Sequence, residues 1–218
     1  MIEVYGLDLT ERLEQPVEKF LPFFSPERQE KILCYRFPAD RNRTIWTELL
    51  VRSVLARKEA RPLKEITIER DGQGKPHAVG SPWEISLSHS KHWAVCSVGE
   101  APSGVDVEED AKDALMIAGH FFTAQERRSL QHLTGQKRDE RFLQIWTVKE
   151  SFVKLTGQGL EEVFARVESA ALLARNGEIA GRNFPLGDAV IGICARRGIL
   201  PDKAMIVPQD FIKIPYTR

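Results

Sequence analysis

The amino-acid sequence predicts an α+β fold built by pseudo-twofold duplication of two similar subdomains, each a small, mainly antiparallel sheet packed with helices. The main observation is an internal repetition with an offset of about one hundred residues. Three pairs of similar segments follow one another in the same order: 23–28 and 121–127, 45–47 and 145–147, and 93–97 and 191–195. Matches this short can arise by chance, but their common order and spacing favour duplication.

The predicted subdomains comprise residues 1–102 and residues 103–218. The second includes an irregular tail from about residue 200, because Pro201, Pro208 and Pro215 are incompatible with a long regular element. Two fused copies of one unit meet at a junction, so we expect the functional site to lie between the halves.

The elements of the first half follow from helix caps, turns and apolar patterning. Ser25 followed by Pro26 is typical of a helix start, and Asp40 is predicted to cap a second helix with apolar residues at helical spacing. Three strands are predicted in this half: 66–68, which precedes a turn at 71–74, and the pair 83–87 and 93–98.

The second half has the same mixture of elements. Thr123 is predicted to cap a helix, and Asp139 to open a longer amphipathic helix that Gly157 and Gly159 end. The Asn-Gly pair at 176–177 is a strong hairpin signal. The predicted strands of this half are 105–108, 163–173, a short strand that follows the Asn-Gly turn, and 189–195.

Composition restricts the class of protein. Of 218 residues, 42% are hydrophobic and 28% are charged, which is typical of a soluble globular protein rather than a disordered one. The 31 basic and 31 acidic residues cancel, so no global field attracts nucleic acid or an anionic membrane, and any phosphate site has to be local. Three scattered cysteines indicate reduced thiols, and the start of the sequence is unlike a signal peptide. A cytoplasmic location is therefore predicted.

Two segments place three carboxylates and a lysine where a cation and a phosphate can meet. Asp106 and Glu108 lie two apart in a predicted strand, so both side chains leave the same face. Glu150 and Lys154 lie four apart in a predicted helix, which places them on one helical face. If strand and helix pack together, the acids converge, and Mg²⁺ would offset their mutual repulsion. Taken separately, the strand acids are also typical of a solvated strand end, and the helix pair of a surface ion pair.

These segments belong to an ordered set of motifs. The set comprises SPER at 25–28, NRT at 42–44, GKP at 74–76, SLSHS at 86–90, GVDVE at 104–108, FFTAQE at 121–126 and WTVKESFVK at 146–154. In this order and spacing the motifs resemble those of the 4′-phosphopantetheinyl transferases, in their larger, surfactin-synthetase type. The resemblance covers roughly residues 1–200.

The resemblance implies a reaction. Such enzymes bind coenzyme A and Mg²⁺ at the junction of two fused α+β units and move 4′-phosphopantetheine to a serine of an apo acyl, peptidyl or aryl carrier protein, releasing adenosine 3′,5′-bisphosphate. Asp106, Glu108 and Glu150 then correspond to metal ligands, with Mn²⁺ able to substitute for Mg²⁺. Glu150 also corresponds to the base for the serine proton, and Lys154 to the residue that stabilises the phosphate or protonates the leaving oxygen. Internal fusion of the two copies predicts a monomer.

The first half supplies most of the implied coenzyme A site. The implied contacts are Arg43, Lys75, Pro76, Ser88, His89 and Lys154, with Arg28 and Lys31 as candidate further phosphate contacts. Arg43 and His89 correspond to residues that contact the 3′-phosphate, and a guanidinium suits bidentate phosphate binding. For Arg28 and Lys31, a solvated helix face is an equally good explanation.

Two other classes of function remain open at this stage. A metal-dependent nuclease also uses an acidic pair on a strand with a later glutamate and lysine, although the spacing of Glu150 and Lys154 and the neutral net charge argue against it. The other alternative is a non-catalytic homologue that keeps the fold and binds carrier proteins. Incubation with coenzyme A, Mg²⁺ and apo carrier proteins would separate the three.

Overall fold

The computed structural model describes residues 1–159, 164, 166–174, 177–196 and 200–213. The helices in this part of the chain are α1 (Pro26–Leu33), α2 (Pro38–Lys58), α3 (Ala114–Phe121), α4 (Ala124–Gln131), α5 (Gly135–Thr156) and α6 (Ser169–Leu173). The strands are β1 (Ile2–Asp8), β2 (Ile68–Arg70), β3 (Pro76–Ala78), β4 (Glu84–His89), β5 (Trp93–Gly99), β6 (Ser103–Glu108), β7 (Ile179–Leu186), β8 (Ala189–Arg196) and β9 (Met205–Ile206).

The strands form two main sheets and one hairpin. The first sheet has the order β4-β5-β1-β9, in which β5 is antiparallel to both neighbours and β9 is parallel to β1. The second has the order β6-β8-β7 and is antiparallel throughout. Strands β2 and β3 form a separate antiparallel pair. The predicted α+β class with small, mainly antiparallel sheets is therefore confirmed.

Each main sheet is covered by a long helix. Helix α2 is buried over most of its length and packs with β4 and β5, while α5 packs on β6 and β8. The two sheets also share an apolar cluster, which joins Val4 and Val95 of the first sheet to Val107 and Ile191 of the second. This shared core fixes one half against the other.

Two glycines allow α5 to approach the second sheet closely. A Cβ atom on Gly104 would overlap the backbone carbonyl of Ser151, and one on Gly192 would overlap the backbone of Thr147. Both glycines lie in strands directly under α5, so the helix axis sits nearer to the sheet than ordinary side chains permit. This close approach brings the helix residues that follow Thr147 to the end of β6.

The tail returns to the first sheet. Strand β9 pairs with β1, and Val207 N donates to Gly6 O at 2.9 Å. Arg12 Nε donates to the side chain of Gln209 at 2.8 Å. The two-residue length of β9 agrees with the expectation that the prolines prevent a long element. The division of the chain into units near residue 102 stays a prediction.

Several predicted elements are present with small shifts. Ser25 accepts from Arg28 N at the start of α1, Thr123 forms a capping box with Glu126, and α5 ends at Gly157 in the left-handed conformation. The predicted strand at 66–68 lies instead at Ile68–Arg70, and β1, which has no counterpart in the prediction, pairs along the whole of β5.

Three predictions about element boundaries or type are wrong. Helix α2 begins at Pro38, so Asp40 lies in its first turn rather than at the cap, and α5 begins at Gly135, ahead of Asp139. Apolar periodicity begins later than the helix itself, which placed both starts too far along the chain. Of the strand predicted at 163–173, the part at Ser169–Leu173 is helical. The Asn176 half of the predicted hairpin turn lies outside the described residues. In the described part of the chain, no helix has the length and apolar character to span a bilayer.

Candidate active site

A cleft between the two halves brings most of the predicted site residues together. It is a cavity of about 520 Å³, bordered by the ends of β4 and β6, the outer face of α5, and side chains from α1 and α2. Its predicted members are Ser88, His89, Asp106, Glu108, Glu150, Lys154 and Arg28. It is also lined by Tyr35, Thr44, Thr47, Glu48, Arg70, Leu87 and Trp146. Strand β6 and helix α5 thus meet at one cleft, as expected from the positions of their acids in the sequence.

Asp106 lies at the centre of the polar contacts. Its Oδ1 atom accepts from Lys154 Nζ and from Ser88 Oγ, both at 2.7 Å, and the side chain is almost fully buried. Lys154 Nζ also donates to Ser88 Oγ at 2.8 Å. The second oxygen, Oδ2, is buried with no hydrogen-bond partner among the described residues. A buried carboxylate oxygen without a donor is costly, so this atom is suited to bind a cation.

The other two acids are close enough to interact electrostatically with Asp106. Burial, and then the negative charge of Asp106, raise the pKa of Glu108 to about 7, while a hydrogen bond from Ser90 Oγ at 3.0 Å opposes the rise. Burial and Asp106 likewise raise the pKa of Glu150 to about 7. Glu150 in turn adds to the shift of Glu108. The three carboxylates thus form one interacting group, which a divalent cation would stabilise.

The three carboxylates offer the oxygen ligands that a hard cation prefers, but their side chains are not arranged around a common point. Within the described ranges, no three Asp, Glu, His or Cys side chains already surround a common point. Lys154 and two seryl hydroxyls satisfy carboxylate oxygens that a cation would otherwise use. All the oxygens concerned are of the kind that Mg²⁺ prefers, and Asp106 Oδ2 is the one left without a partner.

The loop after β4 is hydrogen-bonded to the end of β6. Ser90 Oγ, which donates to Glu108, also accepts from Glu109 N at 3.1 Å. The Glu109 carboxylate accepts from His92 N at 2.7 Å and contacts His92 Nδ1 at 3.0 Å. Glu109, which follows the last residue of β6, therefore points away from the three acids.

Arg43 and His89 lie beside the same loop. Arg43 donates to Lys91 O at 3.0 Å and forms an ion pair with Asp40 at 2.6 Å. Burial within the cleft, followed by the Lys154 and Arg43 cations, lowers the pKa of His89 to about 4. His89 as a whole residue is exposed to solvent, which screens part of this effect. The neutral ring is the form expected at physiological pH.

The remaining predicted residues lie in two neighbouring cavities. Lys75 and Pro76 line a cavity of about 310 Å³ that shares Lys154 with the main cleft, and Lys75 Nζ lies 3.4 Å from Leu155 O. Lys31 lines a third cavity of about 950 Å³ and is paired with Glu27 at 2.7 Å on an exposed helix face.

Comparison with known proteins agrees with this arrangement of two halves. A family model described as the 4′-phosphopantetheinyl transferase superfamily matches residues 102–193, and one described as the N-terminal part of 4′-phosphopantetheinyl transferase matches residues 13–100. The chain is 35% identical over 160 residues to 4′-phosphopantetheinyl transferase psf-1 of Bacillus pumilus, covering 73% of this chain and 68% of that protein. The chain belongs to the 4′-phosphopantetheinyl transferase family.

More distant members agree with this assignment. The chain is 32% identical over 161 residues to 4′-phosphopantetheinyl transferase Sfp of Bacillus subtilis, covering 73% of this chain and 72% of that protein. It is 28% identical over 158 residues to L-aminoadipate-semialdehyde dehydrogenase-phosphopantetheinyl transferase of Xenopus laevis, covering 66% and 52%. The resemblance in the sequence motifs and the assignment as a transferase of the larger, Sfp type are confirmed. The nuclease alternative has no support from these relatives.

Sequence reasoning missed some polar residues of this transferase's cleft. Glu48 is buried in the middle of α2, where it forms ion pairs with Arg28 and Arg52. The four-residue spacing of Glu48 and Arg52 was a signal that could have marked them. Arg70, at the end of the short strand β2, carried no comparable signal because its role depends on tertiary contacts.

Proposed function

We propose that the chain transfers the 4′-phosphopantetheine group of coenzyme A to a serine hydroxyl of an apo acyl, peptidyl or aryl carrier protein, releasing adenosine 3′,5′-bisphosphate. The observation that carries the proposal is the meeting of Asp106, Glu108 and Glu150 with Lys154 in a cleft between the two halves. The carboxylates suit a metal ion that accompanies the substrate, and the lysine suits the substrate's phosphates.

Asp106, Glu108 and Glu150 are the proposed ligands of Mg²⁺, for which Mn²⁺ can substitute. The partnerless Asp106 Oδ2 supports this assignment, and so do the raised pKa values of the other two carboxyls. The ion would bind the pyrophosphate oxygens and offset their charge. Binding of a cation would also favour the ionised form of each carboxyl.

The reaction forms one P–O bond and breaks another. The serine oxygen attacks the phosphorus nearest the pantetheine, and the bond from that phosphorus to the departing nucleotide breaks. Glu150 is the proposed acceptor of the serine proton, because its carboxylate lines the cleft together with Asp106 and Lys154.

Lys154 is proposed to act on the phosphates. Two of its three N–H groups are used by Ser88 and Asp106, which hold the ammonium group in place. The third N–H can donate to the transferring phosphate or protonate the leaving oxygen. Ser88 is proposed as a further phosphate donor, since its hydroxyl lies within the same network.

The nucleotide is proposed to lie toward the first half. Arg43 and His89 are the proposed contacts of the 3′-phosphate, and Lys75 and Pro76 would line the nucleotide in the adjoining cavity. Arg28 lines both the cleft and the third cavity and is a stronger candidate phosphate contact than Lys31, which lines the third cavity but not the cleft. A cytoplasmic monomer that binds neither nucleic acid nor membranes is part of the same proposal.

The test is transfer to a panel of apo carrier proteins. The whole chain is incubated with coenzyme A, Mg²⁺ and each carrier, and the carrier's intact mass is measured. At least one carrier should gain the mass of one phosphopantetheine group, and none should gain it when coenzyme A or the metal is omitted. A carrier that binds the chain without gaining mass would support the non-catalytic alternative. No gain with acyl, peptidyl or aryl carriers would contradict the proposal.

A further inference from the structure

Strands β4 and β6 lie side by side where the two halves meet, although each is an edge strand of a different sheet. Side chains at alternate positions of β4 and the residue after it provide the hydrogen bonds between them: Ser86, Ser88 and Ser90, here called the serine row. A period of two places the three hydroxyls on one face of the strand. Ser86 Oγ, the first of the row, accepts from Val105 N at 3.1 Å. The serine row therefore connects one half to the other.

The other two members of the row contact the acids of β6 in register. Ser88 Oγ donates to Asp106 Oδ1 at 2.7 Å, and Ser90 Oγ donates to Glu108 Oε2 at 3.0 Å. Each serine lies 18 positions before its carboxylate, so the two strands run in the same direction and their side chains match pairwise. Two of the proposed metal ligands are thus held by serines of the other half.

The hydroxyl of Ser90 is itself fixed by its surroundings. Ser90 Oγ accepts from Glu109 N at 3.1 Å, and Ser90 N donates to Trp93 O at 2.9 Å. The Glu109 carboxylate accepts from His92 N at 2.7 Å, which closes the turn after β4 onto the end of β6. Ser90 is only 8% exposed. A hydroxyl has one proton to donate, and here Glu108 receives it.

Glu108 depends on Ser90 more than Asp106 depends on Ser88. Asp106 Oδ1 accepts from both Ser88 and Lys154, so it keeps a donor if either is lost. Among the described residues, Ser90 Oγ is the one donor to the Glu108 carboxylate, and it contacts Oε2. The other oxygen, Oε1, is then available to a cation. A glutamate side chain has several rotatable bonds, so this single contact determines which way the carboxylate points.

We propose that Ser90 is the positioning residue for Glu108, holding one carboxylate oxygen so that the other is available to the cation in the cleft. The inference rests on the proposed function, in which Asp106, Glu108 and Glu150 bind Mg²⁺. Hydrogen-bond partners of carboxylate ligands typically change metal affinity by about 10–100-fold when they are removed. Because Ser90 belongs to the first half and Glu108 to the second, the two halves contribute jointly to the metal site.

The test measures uptake of Mn²⁺ without turnover. Mn²⁺ is titrated into the whole chain saturated with coenzyme A, with no carrier present, and the free ion is measured by electron paramagnetic resonance. A blank with coenzyme A alone corrects for ions that the ligand binds by itself. Ser90→Ala should weaken Mn²⁺ binding by about tenfold or more, whereas Ser90→Thr, which keeps the hydroxyl, should stay within about threefold of the unchanged protein.

Ser97→Ala is the matched control. Ser97 Oγ of β5 lies 2.9 Å from Ser103 Oγ of β6, so this buried hydroxyl also joins the two halves, but its partner is not a carboxylate. Ser97→Ala should therefore bind Mn²⁺ like the unchanged protein. Equal weakening in Ser97→Ala and Ser90→Ala would mean that any contact between the halves supports the metal site, and the specific role of Ser90 would be wrong.

Steady-state kinetics give a second measurement. In Ser90→Ala the Mg²⁺ concentration for half-maximal activity should rise by a similar factor, and the KM for coenzyme A at saturating Mg²⁺ should change by less than about twofold. Unaltered Mn²⁺ binding in a folded Ser90→Ala variant would overturn the inference, and so would a lack of uptake by the unchanged chain. If uptake depends on Ser90 but no carrier gains mass, the proposed function alone would fail.

Discussion

Each half contains an ion pair between a short helix and the long helix that follows it. In the first half, Arg28 of α1 lies three positions after the N-cap and pairs with Glu48 of α2 at 3.0 Å. In the second half, Glu126 of α4 lies three positions after the N-cap and pairs with Lys149 of α5 at 2.6 Å. The acid and the base have exchanged places between the two halves.

The two pairs differ in how far they are enclosed. Lys149 has no exposed surface, donates to Phe164 O at 2.6 Å, and has its ammonium 5.5 Å from the ring centre of Phe122. Arg28 keeps part of its guanidinium in the cleft. In the second half the cation of this ion pair is buried, so the pair contributes to stability. In the first half the cation faces the junction between the halves, so it is accessible to a ligand.

The largest expected effect is on the stability of the enclosed pair. Lys149→Met removes the ammonium and leaves the buried Glu126 carboxylate without its cation, so the free energy of unfolding should fall by about 3–5 kcal/mol. Urea denaturation measures it. Lys137→Met, on an exposed part of the same helix, is the matched control and should change stability by less than about 0.5 kcal/mol. A Lys149→Met loss as small as the control's would contradict the distinction between the pairs.

The same pair predicts a dependence on pH. Burial alone would raise the pKa of Glu126, but the hydrogen bond from Lys149 and the backbone donors Ser169 and Thr123 outweigh it, and the pKa is lowered. The stability that the ionised carboxyl contributes is therefore complete above its unfolded pKa of about 4.3, and is lost as the pH falls toward the lower folded value. The stability difference between the unchanged protein and Glu126→Gln should thus shrink below about pH 4.

Glu150 provides the next test, because it is adjacent to Lys149 but faces the cleft. Glu150→Gln keeps the size of the side chain and removes its charge and basicity, so turnover on an apo carrier should fall by at least ~10²-fold with little change in melting temperature. Glu140→Gln, on the exposed side of α5, is the control.

Asp106→Asn separates metal binding from proton transfer. If Asp106 acts only through the cation, raised Mg²⁺ or Mn²⁺ should restore part of its activity, whereas no metal concentration should restore a base lost at Glu150. Near-normal turnover of Glu150→Gln would mean that strand and helix do not act on one cation.

The cleft acids were predictable because local periodicity fixes which face a side chain occupies. The period of two put Asp106 with Glu108, the period of about 3.6 put Glu150 with Lys154, and the repetition implied a junction for them to share. Caps were predictable at Ser25 and Thr123 for the same reason, since their signals lie within a few residues.

What the sequence did not predict depends on distant contacts. Arg70 lines the cleft near Glu48, which lies 22 positions earlier in the chain on another element. Strand β9 pairs with β1 across nearly the whole chain, and no short-range signal specifies such a pairing. The helix at Ser169–Leu173 was predicted as a strand because a short apolar run fits both periods.

Substitution of the proposed 3′-phosphate contacts should impair the enzyme less than substitution of Glu150. Replacing Arg43 or His89 by alanine should raise the KM for coenzyme A about tenfold and the KM for 3′-dephospho-coenzyme A much less, because only coenzyme A loses a partner. The Mg²⁺ dependence should be unaltered, since both side chains lie apart from the three carboxylates' hydrogen bonds. Equal losses with the two substrates would exclude the assignment.

The smallest expected effect concerns Lys31, which shares α1 and the third cavity with Arg28 but does not line the main cleft. Its ammonium pairs with Glu27, and both side chains are mostly exposed, so water and salt screen whatever charge it offers a ligand. Lys31→Ala should change the KM for coenzyme A by less than about twofold, whereas Arg28→Ala should raise it about fivefold or more, because a partly buried guanidinium held by Glu48 is screened far less. Steady-state kinetics at two salt concentrations measure both. If Lys31→Ala raised the KM as much as Arg28→Ala, an exposed cation outside the main cleft would contribute as much as Arg28, and the ion pair with Glu48 would not be what makes Arg28 the ligand.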